Sequence, residues 1–290
     1  MGEGNLSRIE MVVQHKLVMP LLNLRRKIAA RRAPRVHPMV NVGGGYFLRP
    51  GWLSLDYSSP SYPYDPRYLD INWDLTKPIP LPFADNSVAC FYSQHTFEHL
   101  PVTVVPHLFR EFHRCLRPGG VLRISVPDYD KAHAAYMAND VDAFDGIWIR
   151  KSIEHAFVAT FATAYASRID RKLIRDRILS SEPQEFAEYC YEQLTPEDLS
   201  IFHNHNSWWT FSRFHSLLSA ASFTNIENST AQGSRVPDMR GNGNYLGIQH
   251  ITKIDRLNGF DTAHPEMSVY VEAIKDALDP VSKMSDSNIL

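Results

Sequence analysis

The sequence predicts an α/β fold: a mostly parallel sheet of seven strands with a helical insertion and an N-terminal helical arm. Three observations predict it. Short apolar runs alternate with helical stretches between residues 38 and 126. Four of those runs end in glycines, acids or small polar residues. Leu116-Arg117-Pro118-Gly119-Gly120-Val121-Leu122 closes an amphipathic helix and opens an apolar strand. Proline cannot continue a helix, and glycine permits the left-handed turn that follows one.

The arm, residues 1–36, comes first. Val12, Val13, Leu17, Leu21, Leu22 and Leu24 recur at helical spacing, and Arg25, Arg26, Lys27, Arg31, Arg32 and Arg35 crowd its end. No acid stands between Glu10 and Asp56, so a basic amphipathic helix is expected. Such a helix can meet an anionic surface or pack on the domain or on a second copy; Pro20 and the short apolar face favour packing, and a homodimer is expected. Strands are then expected at 38–42, 52–55, 69–73 and 87–92. Val104, Leu108, Phe109, Phe112 and Leu116 mark one face of a helix over 102–116. The fifth strand, 121–126, is apolar except for Arg123 and Ser125. Residues from about 128 to 207 are rich in alanine and aromatics and read as a helical insertion over the sheet's carboxyl edge. A helix over 209–221 and strands at 223–228 and 245–252 complete a domain spanning 37–255. Residues 256–290 read as a C-terminal helical extension and tail.

The chain has 290 residues, 44% of them apolar, which is ample for a globular core. Its net charge of −2 makes it neither a polyanion nor a polycation. Three widely spaced cysteines, Cys90, Cys115 and Cys190, argue against a disulfide framework and for a reducing compartment. The most apolar N-terminal run, 11–24, is interrupted by His15, Lys16 and Pro20 and is too short to span a membrane. Its positive charges follow the apolar run, the reverse of a secretory signal. A cytoplasmic location is expected. No extended basic face accompanies aromatic RNA-reading motifs, so no nucleic-acid partner is expected.

In open α/β sheets ligands sit outside the carboxyl ends of the strands, where strand order reverses. The first strand runs through Asn41 into Gly43-Gly44-Gly45, whose backbone can turn tightly and let a ligand approach. Asp56 ends the second strand and can accept two hydrogen bonds from a ribose diol. The short connection between them leaves no room for a full helix, and position 48 is Leu, so the G-x-G-x-x-G spacing of dinucleotide folds fails. Both points argue for a smaller, cationic nucleoside. Asp74 is a turn residue or an acceptor for an adenine amino group, with Leu75 packing on the ring. Ser93, Gln94 and His95 end the fourth strand, where they could meet an amino-acid carboxylate or face a reacting centre.

On NVGGG, GWLSLD, WDLTKPIPLPFADNSVACFYSQHTFEHL and LFREFHRCLRPGGVLRISVPD, covering about residues 38–128, the chain resembles class I S-adenosylmethionine (SAM)-dependent methyltransferases. It resembles in particular the short-loop members associated with bacterial polysaccharide biosynthesis. The likeness implies a Rossmann-like class I methyltransferase sheet and SAM as cofactor. It places Gly43 and Gly45 at the methionine moiety, Asp56 on the ribose, and Asp74 with Leu75 at the adenine. The usual acid before the first glycine is Asn41 here, and the usual third glycine is Phe47.

The sulfonium of SAM is already an activated electrophile, so the enzyme must mainly hold an acceptor in line with the methyl group. A hydroxyl acceptor also needs a base, and histidine suits neutral pH. Of thirteen histidines, His203 and His205, beside Trp208 and Trp209, are the first choices, with His155 and His95 behind them. His95-Thr96-Phe97-Glu98-His99 can equally tie its own segment together by hydrogen bonds. A metal is an alternative device: Glu98, His99, Asp128, His203 and His205 could supply oxygen and nitrogen ligands that hold Mg²⁺ against acceptor hydroxyls, with Glu98, His99 and Asp128 the first choices. The tyrosine- and proline-rich stretch 57–68 offers flat, stiff faces that suit sugars or aromatic acceptors. The first reading is methyl transfer to a saccharide hydroxyl, such as a mannoside or oligosaccharide in bacterial polysaccharide biosynthesis. The alternatives are transfer to O or N of a small natural product, and a non-catalytic SAM-binding regulator.

Overall fold

Among the described residues of the computed structural model, seven strands form one sheet: β1 (Met39–Val42), β2 (Leu53–Asp56), β3 (Ile71–Asn72), β4 (Val88–Gln94), β5 (Leu116–Pro127), β6 (Thr224–Asn228) and β7 (Ser268–Ile274). The structure describes residues 36–45, 51–58, 69–144, 152–201, 204–231, 233–239 and 266–276, with the isolated positions 21, 24 and 28. The sheet order is β3-β2-β1-β4-β5-β7-β6. The pairs from β3 to β5 are parallel, and β7 runs antiparallel to both of its neighbours. Strand order reverses between β1 and β4, where Val42 stands opposite Ser93. That switch point is where an open sheet leaves a crevice for a ligand.

The helix expected over 102–116 is a 3-10 turn, Val102–Val104, followed by α1 (Val105–Cys115). Its apolar face, Val105, Leu108, Phe109, Phe112 and Cys115, is buried, with the Phe112 ring 4.7 Å from that of Phe91 in β4. Beyond α1 the chain turns at once into β5. Gly119 takes φ +72°, and its N–H donates to the Lys275 carbonyl at 2.8 Å, while Lys275 N–H returns a bond to Gly120. The first residues of β5, expected as a turn, are thereby pinned to the end of β7.

The last strand differs from expectation. Ser268–Ile274, within the stretch read as a C-terminal helical extension, is β7 and fills the slot between β5 and β6. The reason is the company it keeps: Val269, Tyr270, Val271 and Ala273 are buried between two strands, and Glu272 faces Arg123 across the ladder. The strand expected at 245–252, the arm other than its three isolated positions, and most of the tail lie outside the described residues.

After β5 the described residues form six short helices: α2 (Tyr129–Met137), α3 (Ile153–Ala159), α4 (Thr163–Ala166), α5 (Arg171–Ser180), α6 (Pro183–Glu192) and α7 (Pro196–Leu199). Most begin at a side-chain cap. Asp128, Ser152, Asp170 and Thr195 each accept from a first-turn N–H. These helices share their own core, in which Tyr129, Phe157, Phe161, Phe186 and Trp208 stack edge and face. The chain then returns through α8 (Phe211–Ala220), capped by Thr210, to β6. No described helix is long and apolar enough to cross a membrane.

Candidate active site

The carboxyl ends of β1, β2 and β4 frame a cleft lined by Gly43, Asp56, Tyr57, Asp74, Leu75, Thr76, His95, Thr96, His99 and Leu100. Its floor is set by glycine. Gly43 takes φ +64°, and a Cβ there would fall 2.3 Å from the Thr96 side chain. Gly44 closes over Asn41, whose amide nitrogen would be 1.9 Å from an added Cβ. Gly45, at φ +51°, aims its N–H at Asp56 Oδ2 at 2.7 Å. Asp56 Oδ1 accepts from Tyr57 N–H at 2.7 Å. Burial pushes the Asp56 carboxyl above the usual range, and the Tyr57 and Gly45 N–H groups pull it part of the way back. Each Asp56 oxygen keeps a further lone pair for a diol.

Asp74 Oδ1 accepts from both the N–H and the hydroxyl of Thr76, at 2.9 and 2.6 Å, so this carboxylate shapes its own turn while it lines the cleft. Leu75 is buried at the wall. Asn41, Ser93 and Gln94, expected as cofactor contacts, are buried and absent from the cleft lining. Tyr57, the first residue of the tyrosine-rich stretch, lines the cleft, and so do Thr76, Thr96 and Leu100, which were not singled out in the sequence. Thr96 matters most, since its side chain packs on Gly43 and its hydroxyl donates to the Gly43 carbonyl at 3.2 Å. A threonine inside His95-Thr96-Phe97 gives no pattern that would disclose such a contact.

At the other end of the cleft, three histidines gather on Glu98. His95 sits at φ +49°, a left-handed conformation that costs energy for a residue with a Cβ. Its Nδ1 lies 3.1 Å from Glu98 Oε1, and its Nε2 lies 3.2 Å from Ser268 Oγ. His99 Nε2 is 3.9 Å from Glu98 Oε1, and its Nδ1 is 2.8 Å from the Asn204 carbonyl. His205, far away in the chain, meets His99 edge to face with ring centres 4.9 Å apart. Its Nδ1 is 2.7 Å from the Thr160 carbonyl. Backbone bonds hold the two segments together: Asn206 N–H donates to the Glu98 carbonyl and Ser207 Oγ to that of Phe97.

Burial alone would push the Glu98 carboxyl up, but His95, His99 and His205 outweigh it and hold the group at about 2. Burial, and then the charge of His99, pushes His205 down to about 4. A ring so hard to protonate is a weak base at neutral pH.

The other expected residues fall elsewhere. His155 is buried in α3, with its ring nitrogens 2.8 Å from Ser152 Oγ and 3.2 Å from the Ile169 carbonyl, which fits a structural role. Asp128 spends a carboxylate oxygen on the Asp130 N–H at the start of α2. Among the described residues, the donors that come together are Glu98, His99 and His205, with ligand atoms within 4.8 Å of one another, and Asp128 is not with them. Two imidazoles and one carboxylate do not suit Mg²⁺, which takes near-octahedral oxygen. Trp208 and Trp209 are buried in the cores rather than lining the cleft. His203 and residues 59–68 lie outside the described residues.

Residues 63–124, from ahead of β3 into β5, match the family described as a methyltransferase domain. Over this stretch, less than half of its length, the chain is similar to a methyltransferase domain. The match covers β3, β4, α1 and the beginning of β5, and the sheet around it has the mostly parallel order and single antiparallel strand described above. No curated protein matches the chain. Similar solved structures include a putative methyltransferase from Haloferax volcanii in complex with a methyltransferase activator, at 14% identity over 93% of this chain and 97% of that one, with a TM-score of 0.40. A possible histamine N-methyltransferase from Thermotoga maritima shares 12% identity over 93% and 96% of the two chains, with a TM-score of 0.38. A SAM-dependent methyltransferase from Archaeoglobus fulgidus shares 9% over 93% and 100%, with a TM-score of 0.39. At these scores the neighbours carry no argument about the acceptor.

Proposed function

We propose that this methyltransferase transfers the methyl group of SAM to a saccharide hydroxyl, with His95 as the base. The observation that supports transfer to a hydroxyl is the shared cleft. Gly43 and Asp56 line one part of it, and His95 and His99 line another. In this reading Asp56 accepts from the ribose hydroxyls, Leu75 packs on the adenine, and Gly43 leaves room for the methionine moiety. His95 takes the acceptor's proton as its oxygen attacks the methyl carbon. The carbon–sulfur bond breaks, and S-adenosylhomocysteine leaves. Glu98 sits beside the ring and stabilises its protonated form. The saccharide comes from the likeness of residues 38–128 to polysaccharide-associated enzymes and from the tyrosine-rich stretch that begins at Tyr57. A homodimer through the basic arm belongs to the same reading, and sedimentation of the full chain against one lacking residues 1–36 tests it.

The test of function is S-adenosylhomocysteine formation from SAM with a panel of mannose and glucose oligosaccharides. Saccharide-dependent turnover, cut by ~10²–10⁴-fold in His95→Gln with SAM affinity unchanged, supports the reading. Turnover only with small phenols or amines moves the acceptor to a natural product. No turnover with any acceptor, while SAM binds, points to the regulator.

A further inference from the structure

We infer that Glu98, His99 and His205 form a binding site for a divalent transition-metal ion, Zn²⁺ foremost, at the edge of the cleft. The inference rests on the donors themselves and not on the identity of the acceptor.

Glu98 is the first observation. Its side chain is 1% exposed, and neither carboxylate oxygen has a hydrogen-bond partner among the described residues. The nearest polar approach to them is His95 Nδ1, 3.1 Å from Oε1. His95 meets one of the two oxygens, and a buried carboxylate is stabilised further by a cation that can meet both.

The second observation is how the two rings are held. His99 Nδ1 and His205 Nδ1 each lie within hydrogen-bond distance of a backbone carbonyl, those of Asn204 and Thr160. A carbonyl can only accept, so each Nδ1 carries the proton and donates it. In the neutral ring Nε2 is then left with a lone pair. Metal-binding histidines are oriented in this same way, by a carbonyl or carboxylate on the far nitrogen. One ligand atom from each of Glu98, His99 and His205 lies within 4.8 Å of the others, and His99 Nε2 is 3.9 Å from Glu98 Oε1. Three electron-pair donors with no proton among them repel unless a cation sits between them.

The donor set selects the ion. Two histidines and one glutamate suit Zn²⁺ and its neighbours rather than Mg²⁺ or Ca²⁺. Three protein ligands leave a position open, as in zinc sites that also take water or substrate. His99 is both a ligand and part of the cleft lining, so that position lies next to the space where an acceptor must enter.

The experiment uses the untagged full chain, stripped with a chelator and dialysed against Zn²⁺ or Co²⁺. Metal content is read by mass spectrometry, and the Co²⁺ form by visible ligand-field absorption. About one ion per chain is expected, with the intense absorption of a four- or five-coordinate site. Glu98→Gln, His99→Ala and His205→Ala should each weaken Co²⁺ affinity by at least ~100-fold, more than a supporting residue costs. His215→Ala, on the exposed face of α8, should leave it unchanged. SAM binding by each stripped variant certifies its fold and separates this site from the methyltransferase reading. Should an alanine variant fail to fold, His205→Gln replaces it, and the wild-type Co²⁺ spectrum still decides. No bound metal in wild-type chain that binds SAM overturns the site, as does equal binding in all the variants or a purely octahedral Co²⁺ spectrum.

Discussion

Gly43 and Thr96 set the floor of the cleft by contact, not by charge. An alanine at position 43 would have to adopt φ +64° and push aside a threonine whose side-chain atoms lie 2.3 Å from the new Cβ. We expect Gly43→Ala to cost ~1–3 kcal/mol of stability and to weaken SAM binding. Gly45→Ala shares the left-handed backbone but meets open space, so it should cost ~1 kcal/mol at most. Urea midpoints of the two variants check this, and equal midpoints would contradict it. The same residues show what the sequence can disclose. Three glycines after a strand were readable as a turn, and Asp56 as a strand-end carboxylate. Thr96 was not, because its role is set by a neighbour 53 positions away. The convergence of His205 on Glu98 was hidden for a like reason: it depends on how a helical insertion folds back.

Two elements are tied down by buried ion pairs. In the sheet, Arg123 of β5 is 0% exposed and reaches Glu272 of β7 at 2.9 Å, while also donating to Ser229 Oγ and the Thr230 carbonyl. Removing one partner leaves a buried charge, so Arg123→Met should cost ~3–5 kcal/mol. Arg123→Met with Glu272→Leu should recover much of that, and denaturant melts of the three proteins measure the coupling. A double variant no more stable than Arg123→Met would contradict it. Arg123 broke the apolar run of the fifth strand in the sequence, but its partner lay in a segment read as helical. The valines and tyrosine of Ser268–Ile274 carried a strand signal. What decided the matter was a vacant slot between β5 and β6, which no local pattern reveals.

In the helical layer, Glu154 of α3 is buried against Arg171 and Arg175 of α5. Burial pushes its carboxyl up, but hydrogen bonds from Ser152 and the two arginines prevail and hold it at about 2, against an ordinary 4.5. A carboxyl depressed by folding contributes stability that is present above pH 4.5 and lost as the pH falls from there toward 2. Glu154→Gln should therefore lower the urea midpoint at pH 6 and narrow its gap to wild type by pH 3. A gap that does not change with pH would place the pair's contribution elsewhere.

At the scale of the whole molecule, the sheet supplies a cleft at its switch point, and the helices after β5 lay the segment from Asn204 to Ser207 beside one end of it. The alternation of strands and helices made the sheet legible, because period and strand-end chemistry are local properties. The layer's helical character was legible too, from its alanines and aromatics. How it meets the cleft was not, since that rests on backbone bonds between residues about a hundred positions apart. The central claim is that the cleft between Gly43 and Asp56 holds SAM. Calorimetric titration of SAM into wild type, Asp56→Ala and Asp56→Asn tests it most directly. The account predicts saturable binding to wild type, weakened ~10–100-fold in Asp56→Ala, since a hydrogen bond to a charged group contributes about 1.5–3 kcal/mol. Asp56→Asn, which retains one acceptor, should fall between them. Wild-type affinity in a folded Asp56→Ala, or no binding by wild type, would contradict it.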